Sequence, residues 1–273
     1  MRIKPIRYSK DRCGNKKVIY MKHEERIEFA KKYAKKLYAK YKDGLIYFGI
    51  TGSTYRNEDR DDSDIDAFVV TKDKKHWPES KWLHFMYNGI AVSIGYYTVE
   101  ELDGTISKPD YKWSHRVFRV IKSLPIYEKY DLIGKYEKAI RKINQQAFNK
   151  AASKQLTAAA SCLSGIRRNA ESGDLAGTRS GATLATTSLD EVVAFLNKGF
   201  LPGGGYGSPN LKLIAKYKKI PKDYIRLNTT IWESNDPEEI NNAAIELISN
   251  TISFAKRNGV EIPKYNSLAK IPV

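Results

Sequence analysis

The chain has 273 residues, enough for one large domain or two of ordinary size, and 41% of them are hydrophobic, which is ample for a packed core. The sequence predicts a cytoplasmic protein, because it has no apolar run of about 18 residues, no secretory signal and no metal or redox spacing between Cys13 and Cys162. The net charge of +16 would suit a polyanion such as nucleic acid, but the lysines are spread along the chain rather than clustered.

The first elements predicted along the chain are a short basic strand or arm near residues 17–20 and a helix over residues 22–42. The helix is indicated by apolar residues at helical spacing, namely Ile27, Ala30, Ala34, Leu37 and Tyr41. Asp43-Gly44 provides a stop signal. The apolar residues 45–50 that follow are typical of a buried strand.

A glycine-serine turn and an acidic triplet lie between this strand and the next apolar run, residues 65–70. Gly52 permits a tight turn, in which backbone N–H groups and the Ser53 hydroxyl can face a phosphate. Asp64 and Asp66 alternate with Ile65, so both carboxylates point to one face of the strand. The two carboxylates repel each other and together suit Mg²⁺, which usually binds one or two carboxylates plus substrate phosphates.

The spacing from Gly52-Ser53 to Asp64-Ile65-Asp66 resembles the signature of the DNA-polymerase-beta-like nucleotidyltransferase superfamily. Arg56 and Ser63 also stand where small members of that superfamily have these residues. The resemblance implies that Asp64 and Asp66 are catalytic and bind Mg²⁺. It also implies that a nucleoside triphosphate is the substrate, held by a nucleotide-binding set of Gly52, Ser53, Arg56 and Ser63.

The remainder of the first half is predicted to complete a mixed sheet. Residues 71–88 are interpreted as a loop with a short helix near 82–87, followed by a turn at Asn88-Gly89 and a third strand over 90–97. Thr98 and Glu101 form a capping-box pattern that opens a short helix. Residues 124–127 are interpreted as a loop or an edge strand, and the domain boundary is placed after them.

The second half shows no strand signals. Helices are predicted over 131–150, 152–172, 177–199, 209–217 and 221–232, with a glycine-rich turn at 203–207. A last helix begins at Asp236, where Pro237 at the first position and Glu239 complete a capping pattern. The predicted fold is therefore α+β, with a nucleotidyltransferase domain over residues 1–127 and an all-α helical bundle over residues 128–273.

This whole-chain layout resembles the kanamycin (aminoglycoside) nucleotidyltransferases. That resemblance implies a homodimer and transfer of a nucleoside monophosphate to a hydroxyl. Arg167 and Arg168 are candidate contacts for the triphosphate or pyrophosphate, and they are equally well interpreted as solvated charges at a helix end. The third carboxylate of the superfamily falls at Ser93, and no acid stands near Cys162, where the helical base is expected; Asp190 and Glu191 on the next helix are the best remaining candidates for the base.

Three functions remain open from the sequence. The first is a magnesium-dependent nucleotidyltransferase that acts on a small-molecule hydroxyl. The second is a nucleotidyltransferase acting on RNA or protein, which the net charge favours although no RNA-binding motif is visible. The third is a nucleotide-binding protein with weakened or lost catalysis, which Ser93 favours because serine is a poor ligand for a hard dication.

Overall fold

The structure, a computed structural model, describes residues 9–10, 16–17, 21–75, 77–111, 113–202 and 208–262. Positions 18–20 of the predicted basic strand and the predicted turn at 203–207 lie outside these ranges. The strands are β1 (Ser9–Lys10), β2 (Lys16–Lys17), β3 (Leu45–Thr51), β4 (Ile65–Thr71), β5 (Trp82–Tyr87), β6 (Ile90–Thr98) and β7 (Leu124–Glu128).

The helices alternate with strands in the first half and follow one another in the second. They are α1 (His23–Tyr41), α2 (Gly52–Arg56), α3 (Val99–Ser107), α4 (Trp113–Ile121), α5 (Leu132–Arg141), α6 (Gln145–Ser161), α7 (Leu163–Glu171), α8 (Leu175–Leu196), α9 (Ser208–Ile214), α10 (Tyr224–Glu233) and α11 (Pro237–Arg257). From Leu132 onward every regular element of the described residues is a helix, which confirms the predicted α+β class.

By internal contacts the chain forms two compact units. The first consists of Met1–Ile106 with Arg119–Arg141 and holds the large sheet; the second consists of Ser107–Phe118 with Lys142–Val273 and is helical. The domain boundary predicted after residue 127 stays a prediction. No helix among the described residues is long and apolar enough to cross a membrane.

The large sheet has five strands in the order β5-β6-β4-β3-β7. β4 and β6 run parallel, whereas the other neighbouring pairs are antiparallel. β4 is therefore the central strand, so any side chain at its start has neighbours from both β3 and β6. Residues 124–127, left open as a loop or an edge strand, form the edge strand β7.

One face of the sheet carries the hydrophobic core of the first unit. Phe29 and Leu37 of α1 belong to the same buried cluster as Phe48, Ile65 and Ile94 from three neighbouring strands. This face uses the odd residues of β4, such as Ile65, so the even residues, including Asp66, belong to the opposite face. Burial of the odd residues of β4 fixes the pairing register of this strand, and that register places Asp66 on the face that points away from this core.

The predicted short helix near 82–87 is wrong: these residues form β5, which pairs with β6 through a tight hairpin. Asn88 and Gly89 both have positive φ, 46° and 82°, as a two-residue hairpin turn with the twist of its strands requires. The aromatic residues of this segment also favour strand. The Asn88-Gly89 turn therefore joins two paired strands rather than a helix and a strand.

Two predicted helices of the second half are each divided in the structure. The segment predicted as 131–150 forms α5 and α6, because the Asn144 side chain accepts a hydrogen bond from the Ala147 N–H (2.8 Å) and begins a new helix. The segment predicted as 152–172 is interrupted at Cys162, where α6 ends and α7 begins. The predicted start of the last helix is confirmed, since Asp236 caps α11 by accepting from Glu238 N–H at 2.9 Å.

Candidate active site

The glycine-serine turn lies directly beside the acidic strand. Thr51 at the end of β3 pairs with Asp66 on β4, and Gly52 begins α2 immediately afterwards. Gly52 has φ +71°, and a Cβ at this position would lie 3.0 Å from Asp66 Oδ2. Both the backbone conformation and the close approach therefore require glycine, which keeps the turn and the carboxylate in contact.

Asp64 and Asp66 interact electrostatically across the start of β4. Asp64 is exposed, Ile65 between them is fully buried, and Asp66 is partly buried, which is the alternation expected for two carboxylates on one face. The pKa of Asp66 is raised by burial and by the negative charge of Asp64, and it is lowered by Arg119, Arg56 and His84. A bound cation would relieve the repulsion between the two carboxylates, which is one of the two causes that raise the pKa of Asp66.

Strand register fixes the place of Ser93, the position where the sequence resemblance implies a third carboxylate. Ser93 on β6 lies opposite Asp66 on β4, and His84 on β5 lies opposite Ser93. Asp66, Ser93 and His84 therefore form one row on the same face of the sheet. Among the residues that the structure describes, no group of three or more His, Cys, Asp or Glu is arranged to hold a metal ion.

The loop that leads to Asp64 is held by Arg26 of α1, whose side chain is completely buried. Its guanidinium donates to the carbonyls of Arg60 (2.7 Å), Asp61 (3.1 Å) and Ser63 (2.9 Å). It also donates to the Asp59 carboxylate at 3.2 Å, and this carboxylate contacts the His23 ring at 2.8 Å. These bonds satisfy the loop backbone and fix the residue directly before Asp64.

Two of the predicted nucleotide-binding residues already have partners within the loop. Arg56 forms an ion pair with Glu58, Nε to Oε2, at 2.6 Å. The Ser63 hydroxyl oxygen accepts from the Arg60 N–H at 2.9 Å, which closes the turn before Asp64. Since a hydroxyl oxygen that accepts one bond can still donate its own proton, Ser63 retains the capacity to bind a phosphate.

The remaining predicted site residues belong to the helical unit. Arg167 and Arg168 on α7 are both exposed. Asp190 is buried and accepts from Tyr224 Oη (2.7 Å) and Asn210 Nδ2 (3.2 Å).

Glu191 is fully buried in the same unit. It accepts from Ser114 Oγ (2.8 Å) and lies 3.3 Å from His115 Nε2. Burial raises the pKa of both Asp190 and Glu191 to about 7. The catalytic role of Asp190 and Glu191 stays a prediction.

Sequence reasoning missed Arg26, Arg119 and His84. Arg26 lies four residues before Ala30 and therefore on the apolar face of α1. A charged residue on that face was the signal from which a buried role for Arg26 could have been predicted. Arg119 and His84 had no such signal. The Asn88-Gly89 turn signalled the hairpin of β5 with β6, but the place of His84 in the row of Asp66 also requires the parallel pairing of β6 with β4. The place of Arg119 depends on the fold around Trp82, which a single sequence does not specify.

The acidic pair is suited to Mg²⁺ in its donor chemistry. Mg²⁺ prefers oxygen ligands and usually takes one or two carboxylates, with waters and substrate phosphates completing its octahedral shell. Asp64 and Asp66 supply two oxygen-donor groups whose mutual repulsion a dication would offset. The donor chemistry of the two residues therefore fits a magnesium ion.

Comparison with solved structures gives low-identity likenesses over most of the chain. One is a nucleotidyltransferase-like protein from Exiguobacterium sibiricum 255-15, with 14% identity, a TM-score of 0.49, and coverage of 84% of this chain and 77% of that one. Another is spectinomycin adenyltransferase AAD(9) from Enterococcus faecialis with ATP and spectinomycin, with 14% identity, a TM-score of 0.35, and coverage of 86% and 99%. No model of a known protein family matches the chain, and the search of curated proteins gave no significant match.

Proposed function

We propose that this protein is a magnesium-dependent nucleotidyltransferase that moves a nucleoside monophosphate from a nucleoside triphosphate to a hydroxyl of a small-molecule acceptor. The observation that carries the proposal is the Asp64–Asp66 pair, electrostatically coupled and lying against the Gly52 turn. A phosphate-binding turn beside a paired-carboxylate site is the combination that phosphoryl-group chemistry needs.

Each residue of the site has a distinct task in the proposed reaction. The Gly52-Ser53 turn, Arg56 and Ser63 bind and orient the triphosphate, and Asp64 and Asp66 would hold the magnesium. Bound Mg²⁺ would supply neutralisation of the charge on the phosphate oxygens. The acceptor oxygen bonds to the α-phosphorus as the bond to the bridging oxygen breaks, the electron pair leaves with pyrophosphate, and the acceptor proton passes to a base or to solvent.

The test is magnesium-dependent binding of a triphosphate analogue that cannot be transferred. We expect Asp64→Asn to abolish Mg²⁺-dependent binding of α,β-methylene-ATP in calorimetry, because one of the two carboxylate ligands is lost. The melting temperature should stay unchanged or rise, since the substitution removes repulsion between the two carboxylates.

The matched control is Asp62→Asn, which removes an exposed acid from the same loop two residues earlier. This variant should bind the analogue like the wild type. Wild-type affinity in the Asp64→Asn variant, or analogue binding that is independent of magnesium, would contradict the assignment of the acidic pair.

A second candidate function is nucleotide binding with weakened catalysis, and one observation favours it specifically. Ser93 lies in register beside Asp66, in the position where the superfamily resemblance implies a third carboxylate. Serine has no charge to offset a second cation and is a poor base for an acceptor hydroxyl. A magnesium-dependent thermal shift with ATP, together with no transferred product by mass spectrometry over a panel of hydroxyl compounds, would favour this second function.

A further inference from the structure

A second cationic group stands on the same face of the sheet as the acidic pair. Arg119 lies near the end of α4, and its guanidinium is 5.7 Å from the centre of the Trp82 ring. Trp82 is two residues before His84 on β5, so its side chain belongs to the face that carries Asp66 and Ser93. Arg119, which lies over this ring, is therefore on the Asp66 side of the sheet.

The Trp82 ring occupies a place that the neighbouring strand leaves open for it. Gly95 on β6 is opposite Trp82, and a Cβ on Gly95 would lie 2.9 Å from the indole. The Tyr97 ring contacts the indole edge-on, with 6.2 Å between centroids. Gly95 and the Tyr97 ring therefore hold the indole in place, and Arg119 lies over the indole ring.

The Arg119 guanidinium interacts with the Trp82 ring through its positive charge. Its five N–H groups lie in one plane and match the oxygens of an anion. Within the part of the chain that the structure describes, Arg119 forms no ion pair, in contrast to Arg56 with Glu58 and Arg26 with Asp59. Its planar donors are therefore available to a ligand that binds beside Asp66.

We infer that Arg119 binds the β- and γ-phosphates of the nucleoside triphosphate, with Trp82 acting as a positioning residue that holds the guanidinium in place. This inference rests on the proposed function, because it requires the triphosphate to bind at the Asp64–Asp66 pair. Arginine matches phosphate oxygens with paired, charge-assisted hydrogen bonds. In the transfer step those oxygens belong to the leaving pyrophosphate, so the contact stabilises the negative charge that develops there.

Calorimetric titration with Mg²⁺ and α,β-methylene-ATP, and separately with AMP, tests the inference. We expect Arg119→Gln to weaken binding of the triphosphate analogue by about 10- to 100-fold, the range for charge-assisted hydrogen bonds. AMP affinity should change by less than about twofold, because AMP lacks the two phosphates that Arg119 contacts. Arg119→Lys should retain part of the affinity, since it keeps the charge and loses the paired donors.

The matched control is Arg116→Gln, which removes one positive charge from the same helix three residues earlier. Arg116 is exposed and pairs with Asp110, so this variant should bind the analogue like the wild type.

The positioning role of Trp82 predicts a smaller loss of analogue affinity for Trp82→Ala and retained affinity for Trp82→Phe. In the Trp82→Ala/Arg119→Gln double variant the losses should not add, because both act through one guanidinium.

Three outcomes would overturn the inference. Wild-type affinity for the analogue in Arg119→Gln would do so while leaving the proposed function intact. Equal losses for AMP and the analogue would place Arg119 away from the β- and γ-phosphates. Absence of magnesium-dependent binding in the wild type would remove the proposed function and this inference with it. Circular dichroism of each variant, with Arg119→Lys and Trp82→Phe as the mildest changes, keeps loss of folding distinguishable from loss of contact.

Discussion

Asp190 and Glu191 are neighbouring carboxyls on α8 whose burial makes folding stability depend on pH. Burial raises the pKa of each to about 7, from 3.8 for Asp190 and 4.5 for Glu191. Between about pH 4 and pH 7 the native state therefore binds protons that the unfolded state has released. Stability contributed by the protonated carboxyls is present below pH 4 and is lost as the pH rises through about 7, at up to about 1.4 kcal/mol per pH unit for each group.

We predict that Asp190→Asn reduces this pH dependence. The uncharged amide removes the cost of ionising a buried group, so the melting temperature relative to the wild type should be higher at pH 8 than at pH 5. Differential scanning calorimetry at the two pH values measures the change. The exposed Asp62 provides the control, because Asp62→Asn should leave the difference between the two pH values as in the wild type. If the melting temperature of Asp190→Asn depends on pH as that of the wild type does, Asp190 does not bind a proton in the native state between pH 5 and pH 8.

Ser93 offers a gain-of-function test of the site. Because Ser93 is in register beside Asp66, Ser93→Asp places a third carboxylate in the row on the same sheet face. We expect Mg²⁺ to bind roughly tenfold more tightly or better, and the melting temperature without Mg²⁺ to fall, because three close carboxylates repel one another.

Magnesium titration followed by thermal shift measures both effects. Ser172→Asp, an exposed position in the helical unit, introduces the same residue away from the site and should leave Mg²⁺ affinity unchanged. If Ser93→Asp binds Mg²⁺ no better than the wild type, the metal does not lie beside Asp66. A gain of transfer activity in this variant would support the weakened-catalyst alternative.

At the scale of elements, the loop between α2 and β4 depends on one residue of α1. Arg26 bonds to three loop carbonyls and to Asp59, and the side chains of both residues are almost completely buried. Removing one partner of a buried ion pair leaves the other charge unpaired, which costs about 3–5 kcal/mol. Arg26→Met should therefore destabilise the protein by about 3 kcal/mol or more in urea unfolding.

The same variant should weaken magnesium-dependent nucleotide binding, since the residue before Asp64 loses its anchor. In the double variant with Asp59→Asn the destabilisation should be smaller than the sum of the two single changes, because no charge remains unpaired. Arg141→Met, at an exposed ion pair, serves as the control and should change stability within experimental error. A wild-type urea midpoint for Arg26→Met would contradict the anchoring role.

For the whole molecule, the resemblance to the kanamycin nucleotidyltransferases predicts a homodimer. The expected result of light scattering at working concentration is a mass near twice that of one chain. A single-chain mass across the concentration range used for binding experiments would contradict this prediction. The oligomeric state is independent of the acidic pair, so Asp64→Asn should scatter like the wild type.

The net charge of +16 sets a second whole-molecule test, which separates a small-molecule acceptor from RNA. Release of counterions makes RNA affinity fall with salt in proportion to the number of phosphates neutralised. With the lysines spread along the chain, we expect only weak tRNA binding with a shallow salt slope. Tight binding with a logarithmic slope as steep as about −5, which means that several phosphates are neutralised together, would instead favour an RNA acceptor.

The sequence by itself determined the local parts of this protein. The period of apolar residues identified α1 and the helical second half, because burial of one face imposes that period on a helix, and continuous apolar runs identified the buried strands β3 and β4. Short-range signals were equally reliable: Asp236 and Pro237 began α11, and Asn88-Gly89 marked a hairpin turn. The Gly52 to Asp66 spacing defined a candidate site because all of its parts lie on two adjacent strands and the loop that joins them.

Tertiary structure decided which distant side chains join that site. The pairing of β5 with β6 brought His84 into the row of Ser93 and Asp66, and it turned a predicted helix into a strand. Arg119 came to lie over Trp82 only through the fold, and Asp190 was found buried among hydrogen-bond donors. The parallel pairing of β4 with β6 and the approach of Arg119 to Trp82 join segments far apart in the chain, which local propensity and spacing do not encode, whereas the Asn88-Gly89 turn signalled the β5–β6 hairpin locally.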